Sequence, residues 1–254
     1  VDIVTDENRC LGIIARDSQG RYRAIQADET ILASGGVGGL YDHSTNFPHL
    51  TGDALAIAMR HGVELEHIDY VQIHPTSLYS KKPGRSFLIS ESVRGEGAKL
   101  RGKDGQRFAN EVLPRDLMTA EIRKQMKKDD LPFVWLDMTV LGEDVIKHHF
   151  PHIYERCLED GIDATKDWVP VMPAQHYFMG GIHVDGHSRT TMDHLYAVGE
   201  TSCNGVHGRN RLASNSLLES LVFGKRAALN LAERATGTVT SAWPVRSFGL
   251  RQPP

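Results

Sequence analysis

From Cys10 onward, apolar and polar residues alternate along the chain. The runs CLGIIARD (10–17) and RYRAIQAD (21–28) have the two-residue period of half-buried strands and are joined by the turn sequence SQGR. A short apolar strand, TILAS (30–34), leads directly into GGVGGLY. Glycines after a buried strand let the backbone turn tightly or approach a ligand closely, and an ordinary loop accommodates them equally well. The period then changes. In TGDALAIAMRHG (51–62), Leu55, Ile57, Ala58 and Met59 fall at helical spacing, with Thr51 as cap and Gly62 as stop.

Between Val71 and Ala174 the texture differs. RGKDGQRFANEVLPRD is polar and loop-rich, whereas PRDLMTAEIRKQMKK (114–128) and HHFPHIYERCLEDG (148–161) each read as an amphipathic helix. Short strands and turns return in GGIHVDGHSRTTMDHLYAVGE (180–200), where HLYAVGE is a buried strand. A last helix starts near Asn215, with Leu217, Leu218, Leu221, Val222 and Phe223 as its expected buried face, continued by Ala227, Ala228, Leu229 and Leu231. The pattern is that of an α/β (α+β) domain interrupted by an insertion. Its expected boundaries are 1–70 and 176–235 for the interrupted domain, 71–175 for the insertion and 236–254 for a loose tail.

Composition narrows the function classes. A chain of 254 residues that is 40% hydrophobic can bury a sizeable core. Its net charge of −3 comes from interspersed charges without a basic stripe, so nucleic-acid and anionic-membrane roles have no electrostatic support. Cys10, Cys157 and Cys203 are far apart and lack metal-ligand spacing, which argues for a reducing compartment and against a structural zinc. No apolar run approaches the roughly 18 residues of a membrane span, and VDIVTDENRC lacks a signal-peptide core, so a cytoplasmic protein is expected.

Candidate chemistry sits in the insertion, at its borders and in HGRNRLASNSLLES (207–220), which gathers two arginines and two Asn/Ser pairs at a helix entrance. A well-capped surface helix is the plain reading of that stretch, and a helix entrance facing an anion is the sharper one. Alone, a histidine beside proline or a single arginine is an ordinary turn or surface residue. Together, His74, Ser90, His176 and Arg211 form two pairs of hydrogen-bonding and cationic donors, suited to an acid with two carboxylates. Glu91 and Arg94, three residues apart, would share a helix face and hold a further arginine, Arg115, in place.

The segments HPT, SESVRGEGAKL, LPRD, QHYFMGGI, LYAVGE and HGRNRLASNSLLESLVFG, in this order and spacing, resemble the succinate dehydrogenase and fumarate reductase flavoprotein family. RLASNSLLE and the short gap between RGEGA and PRD bring the chain nearest to the branch that acts on L-aspartate. The resemblance implies a Rossmann-like FAD-binding domain interrupted by an α+β capping domain. It implies that His74 and Ser90 contact one substrate carboxylate, that His176 and Arg211 contact the other, and that Arg115 is the acid/base group with Glu91 and Arg94 as relay neighbours. Ser90 stands where the family commonly has threonine, which keeps the hydroxyl and loosens its rotamer. FAD would lie against Gly35, Gly36, Asp53, Glu200, Ser216 and Leu217, with the dipole of the helix from Asn215 meeting the negative charge of the reduced ring.

The implied reaction is hydride transfer from the α-carbon of L-aspartate to FAD, giving iminoaspartate, with dioxygen or fumarate as final electron acceptor. This is the first step of de novo NAD biosynthesis through quinolinate, and the resemblance leaves open whether quinolinate synthase is also a physical partner. Another C4 dicarboxylate, handled by a fumarate reductase or succinate dehydrogenase flavoprotein, is the alternative, as is a catalytically inactive fragment of either. The family's opening GxGxxG segment and its closing three-helix domain do not occur in the sequence. A fragment that binds FAD weakly or not at all is therefore expected.

Overall fold

A computed structural model describes residues 1–235, so the tail assigned to 236–254 lies outside the described residues. The opening alternation forms a three-stranded antiparallel meander of β1 (Asp2–Asp6), β2 (Arg9–Arg16) and β3 (Tyr22–Gln26). β4 (Thr30–Leu32) then pairs in parallel with β11 (Leu195–Ala197), and β10 (Gly181–His183) lies between β5 (Leu65–Glu66) and β12 (Ser202–Cys203). Ile3, Cys10, Val63, Ile182, Leu195 and Ala197 form one hydrophobic cluster with Ala54 and Ala58 of helix α1 (Asp53–Arg60).

Helix α1 departs from the expected pattern at two points. Its N-cap is Gly52, whose left-handed φ of 75° favours glycine, and the Thr51 hydroxyl donates to the Asp53 carboxylate at 2.9 Å. Ala54, Leu55 and Ala58 make the buried face, and Met59 points outward, because an eight-residue helix presents one narrow stripe to its neighbours.

Residues 71–178 contain a four-stranded antiparallel sheet, ordered β6 (Val71–Leu78), β9 (Val169–Phe178), β8 (Val134–Asp137) and β7 (Lys99–Arg101). α2 (Glu91–Gly95), α3 (Arg115–Asp129), α4 (Glu143–His149) and α5 (Pro151–Glu159) complete this part of the chain. A second hydrophobic cluster includes Leu78, Val93, Leu100, Met118, Ile122, Leu136, Ile146 and Val171. The single helix expected over 148–161 is instead α4 followed by α5. Phe150 leaves the helical region at φ −126°, and Pro151, which has no N–H to donate, opens the next first turn.

The last helix, α6 (Asn215–Ala235), corrects the expectation of its buried face. Glu219, Phe223 and Ala227, spaced by four, point inward, whereas Leu217, Leu218, Leu221, Val222 and Leu229 are exposed. The helix has apolar residues on two faces, and the side that meets the described residues also carries the hydrogen bonds. Ser188 Oγ donates to the Phe223 carbonyl at 3.3 Å, and Tyr196 Oη donates to Asn230 Oδ1 at 2.8 Å. The three cysteines are buried and free. Among the described residues no helix is long and apolar enough to cross a membrane, and no His/Cys/Asp/Glu cluster is arranged to hold a metal.

Candidate active site

Strand β6 sets the first two residues of the site. Its two-residue period puts Gln72 and His74 on the same side of the strand, both buried against β9. Arg115 is the first residue of α3, placed there by Pro114, and its fork is divided between two elements. Nε donates to Glu91 Oε2 and Nη1 donates to Gln72 Oε1, both at 2.9 Å. Gln72 Nε2 in turn donates to the Arg211 carbonyl at 2.7 Å and to Asn210 Oδ1 at 2.8 Å. One buried amide thus ties Arg115 to the segment that carries Arg211.

His176 reaches the same region from β9. Its ring meets that of His74 edge-on, with centroids 5.2 Å apart, and its Nδ1 lies 2.8 Å from Thr45 Oγ1. Burial, reinforced by Arg211 and Arg115, holds the His176 imidazole down to about 4. His74 is pushed well below the ordinary histidine value by burial first, then by His176, Arg115 and Arg94. Both rings are therefore neutral near pH 7, and each can act as a single directed donor.

The three arginines are unevenly paired. Arg94 is buried, and its Nη1 donates to the Glu111 carbonyl at 2.5 Å while Nε and Nη2 have no partner among the described residues. Arg211 is also buried; its Nη1 donates to the Leu212 carbonyl at 3.3 Å and its Nε has no partner among the described residues. The Arg211 guanidinium lies 4.6 Å from the Tyr177 ring centroid. Burial and then the Arg115 charge lower the Arg211 pKa; burial does the same at Arg94, opposed by Glu91 and supported by Arg115. Of the two residues expected to hold Arg115, Glu91 bonds it directly, while Arg94 donates to the Glu111 carbonyl and feels the charges of Glu91 and Arg115.

Behind Tyr177 is a hydrogen-bonded acid. The Tyr177 hydroxyl donates to Glu219 Oε2, which also lies 2.8 Å from His207 Nε2, and Asn204 Nδ2 donates to Glu219 Oε1 at 2.6 Å. Burial works to raise the Glu219 carboxyl, and the bonds from His207 and Tyr177 outweigh it and keep the group ionised. Arg211 therefore has a counter-charge at one remove, with the phenol between them.

The adjoining cleft, of about 330 Å3, is lined by Asn46, His176, Tyr177, Glu200, Arg211, Ser216, Leu217 and Ser220. Glu200 accepts from the Phe178 N–H at 2.8 Å, and burial pushes its carboxyl up to about 7. A Cβ on Gly36 would stand 2.7 Å from Glu200 Oε1, so only glycine permits this approach. The Gly35 carbonyl accepts from Thr201 Oγ1 at 2.8 Å. The start of α6 contributes Ser216 and Leu217 to the cleft. A close glycine turn, an acid available for hydroxyl groups and a helix N-terminus fit the ribose and ring portions of a dinucleotide.

The structure thus gathers His74, His176, Glu91, Arg94, Arg115 and Arg211 into one electrostatically connected group, with Glu200, Ser216 and Leu217 on the adjoining cleft. Ser90 is the N-cap of α2, where its hydroxyl is 2.7 Å from the Ser92 hydroxyl. Asp53 is exposed on α1 and does not line the cleft. Gln72, Thr45, Tyr177 and Glu219 escaped the sequence reading. Gln72 alone had a local signal, its place two residues before His74 on a strand.

Residues 1–217 match the FAD binding domain family. The chain is similar to the L-aspartate oxidase of Clostridium perfringens, at 51% identity over 91% of this chain and 53% of that protein. It is also similar to the L-aspartate oxidase of Bacillus subtilis, at 42% identity over 92% of this chain and 44% of that protein. Among solved structures, E. coli quinol fumarate reductase superposes with a TM-score of 0.85 at 34% identity, covering 95% of this chain and 45% of that one. The chain spans about half the length of the curated relatives it matches.

Proposed function

The chain belongs to the FAD binding domain family, and we propose that it carries the substrate side of a flavoenzyme that oxidises L-aspartate to iminoaspartate. In this reading residues 71–175 are the capping unit and the segments 1–70 and 176–235 belong to the FAD-binding unit. The observation that carries it is the set of buried guanidinium donors without partners among the described residues, Arg94 Nε and Nη2 and Arg211 Nε, together with the unpartnered ring nitrogen His74 Nε2, which donates when the Thr76 N–H donates to His74 Nδ1. Leaving such groups unsatisfied costs about 1–3 kcal/mol each, more where they are charged, and a dianion between them removes that cost.

His176 and Arg211 hold one carboxylate of the substrate, and His74 with the Ser90 hydroxyl holds the other. Neutral histidines add direction without adding charge, so the arginines provide the compensation for two carboxylates. Arg115 is the proton-handling group. Its Nε and Nη1 are taken by Glu91 and Gln72, so Nη2 is the end of the fork that meets the substrate. A free arginine has a pKa above about 12, so Arg115 works as the charged member of a relay in which Glu91 takes up or returns the proton.

FAD supplies the two-electron acceptor when bound, held by Gly35, Gly36, Glu200, Ser216 and Leu217, with Asp53 at the more distant helix entrance. The relatives' name, L-aspartate oxidase, supports L-aspartate as substrate; dioxygen or fumarate is the electron acceptor in this reading. In this reading the reaction is the first step of NAD formation, in the cytoplasm, ahead of quinolinate synthase. The test is flavin reduction under anaerobic conditions in FAD-loaded protein, followed by peroxide release in air. Reduction by L-aspartate is expected. Reduction by succinate with none by aspartate would assign the chain to the fumarate reductase and succinate dehydrogenase chemistry instead.

A further inference from the structure

His176 enters the cleft from β9, and its other ring nitrogen is held by a segment outside that sheet. Residues 43–46 run beside the strand: the Gln175 N–H donates to the His43 carbonyl at 2.8 Å, and the Thr45 N–H donates to the Gln175 carbonyl at 2.9 Å. Ser44 Oγ and Asn46 Nδ2 both donate to Gln175 Oε1, at 2.7 and 3.0 Å. The segment is thereby locked to the residue next to His176, which brings Thr45 Oγ1 within 2.8 Å of His176 Nδ1.

We propose that Thr45 is a positioning residue whose hydroxyl donates to His176 Nδ1, which keeps the ring proton on Nε2 and turns that N–H into the cleft. The proposal rests on the reading of His176 as a carboxylate-binding residue. A neutral imidazole has one donor and one acceptor nitrogen, and the partner of one nitrogen decides the state of the other. A carboxylate only accepts, so of the two tautomers only the one with hydrogen on Nε2 can bond to it from the cleft side. The Thr45 hydroxyl has a second acceptor in reach, the Gln175 carbonyl, but at 3.4 Å that contact is the weaker of the two. Because Thr45 is β-branched, its χ1 is stiff, and the hydroxyl is presented to the ring in one orientation.

The test combines the ring nitrogens with ligand binding. In the full chain labelled with 15N-histidine, the His176 signals are identified by their loss in His176→Gln. Nδ1 is expected to resonate as an unprotonated, hydrogen-bonded nitrogen and Nε2 as a protonated one. In Thr45→Val the Nδ1 signal should move to the position of a lone pair without a donor, and succinate binding to the FAD-loaded protein should weaken about tenfold, the loss of roughly one hydrogen bond to a charged group. Thr45→Ser should restore both. A wild-type His176 protonated on Nδ1, or an Nδ1 signal unmoved by Thr45→Val, would overturn the proposal. If the nitrogen signals are as expected and the wild-type protein binds no succinate, the tautomer assignment stands and the carboxylate-binding reading of the cleft fails.

Discussion

Replacing Arg211 with methionine separates what the site costs from what it does. The arginine is 4% exposed, donates one 3.3 Å bond to the Leu212 carbonyl and leaves Nε without a partner. Its guanidinium also lies 4.6 Å from the centre of the Tyr177 ring. A methionine of similar length removes the cost of burying a poorly paired charge, which for buried ions replaced by apolar residues amounts to a gain of about 1–4 kcal/mol. It also gives up a cation–π contact worth about 0.5–2 kcal/mol. The net expectation for Arg211→Met is a ligand-free protein between about 1 kcal/mol less and about 3.5 kcal/mol more stable than the wild type. Melting should rise by about 2–4 °C per kcal/mol for a chain of this size. Binding should move the other way: losing the charge-assisted bonds to one carboxylate, about 1.5–3 kcal/mol, weakens succinate by roughly ten- to a hundredfold. Calorimetric melting with and without succinate reads both quantities, since ligand at a hundred times its Kd adds about 2.7 kcal/mol. An Arg211→Met protein destabilised by more than about 2 kcal/mol that still gains the wild-type shift with succinate would mean that Arg211 is a structural residue and not a carboxylate ligand.

Further expectations follow from other parts of the structure. Gly36→Ala puts a Cβ 2.7 Å from Glu200 Oε1, so the acid must move, and FAD affinity measured by fluorescence quenching should fall at least tenfold while the melting temperature of the ligand-free protein changes little. Glu200 is raised to about 7 by burial, so the protonated form is the stable one in the fold; its contribution is complete below its unfolded value near 4.5 and is lost as pH rises through 7. Glu200→Gln should therefore gain melting temperature relative to wild type at pH 8 and show no such gain at pH 5. His176 has the opposite slope: lowered to about 4 by burial, it contributes fully above its unfolded value of 6.5 and loses that contribution as pH falls toward 4, so His176→Gln should resist acid better in that window, as followed by circular dichroism. Ile122→Ala removes a fully buried side chain from the cluster beneath the four-stranded sheet and should cost about 2–5 kcal/mol in urea unfolding, with little effect on the cleft.

Elements whose signal is local are legible in the order of residues alone. The two-residue period marked β2 and β3, Gly62 marked the end of α1, and the apolar spacing marked α3 and α6. The family's motifs marked His74, Glu91, Arg115, His176, Arg211 and Glu200. Which face of α6 is buried emerges from the packing, because the helix has apolar residues on both sides and the choice depends on what lies beside it; the answer, Glu219, Phe223 and Ala227, includes a charged residue that no hydrophobicity pattern selects. The packing also decided the supports of the site. Gln72 reaches Arg211 across 139 positions, Thr45 reaches His176 across 131, and Tyr177 reaches Glu219 across 42. Periodicity relates a residue to neighbours within a turn or a strand pair, whereas those bonds depend on segments brought together by the two hydrophobic clusters.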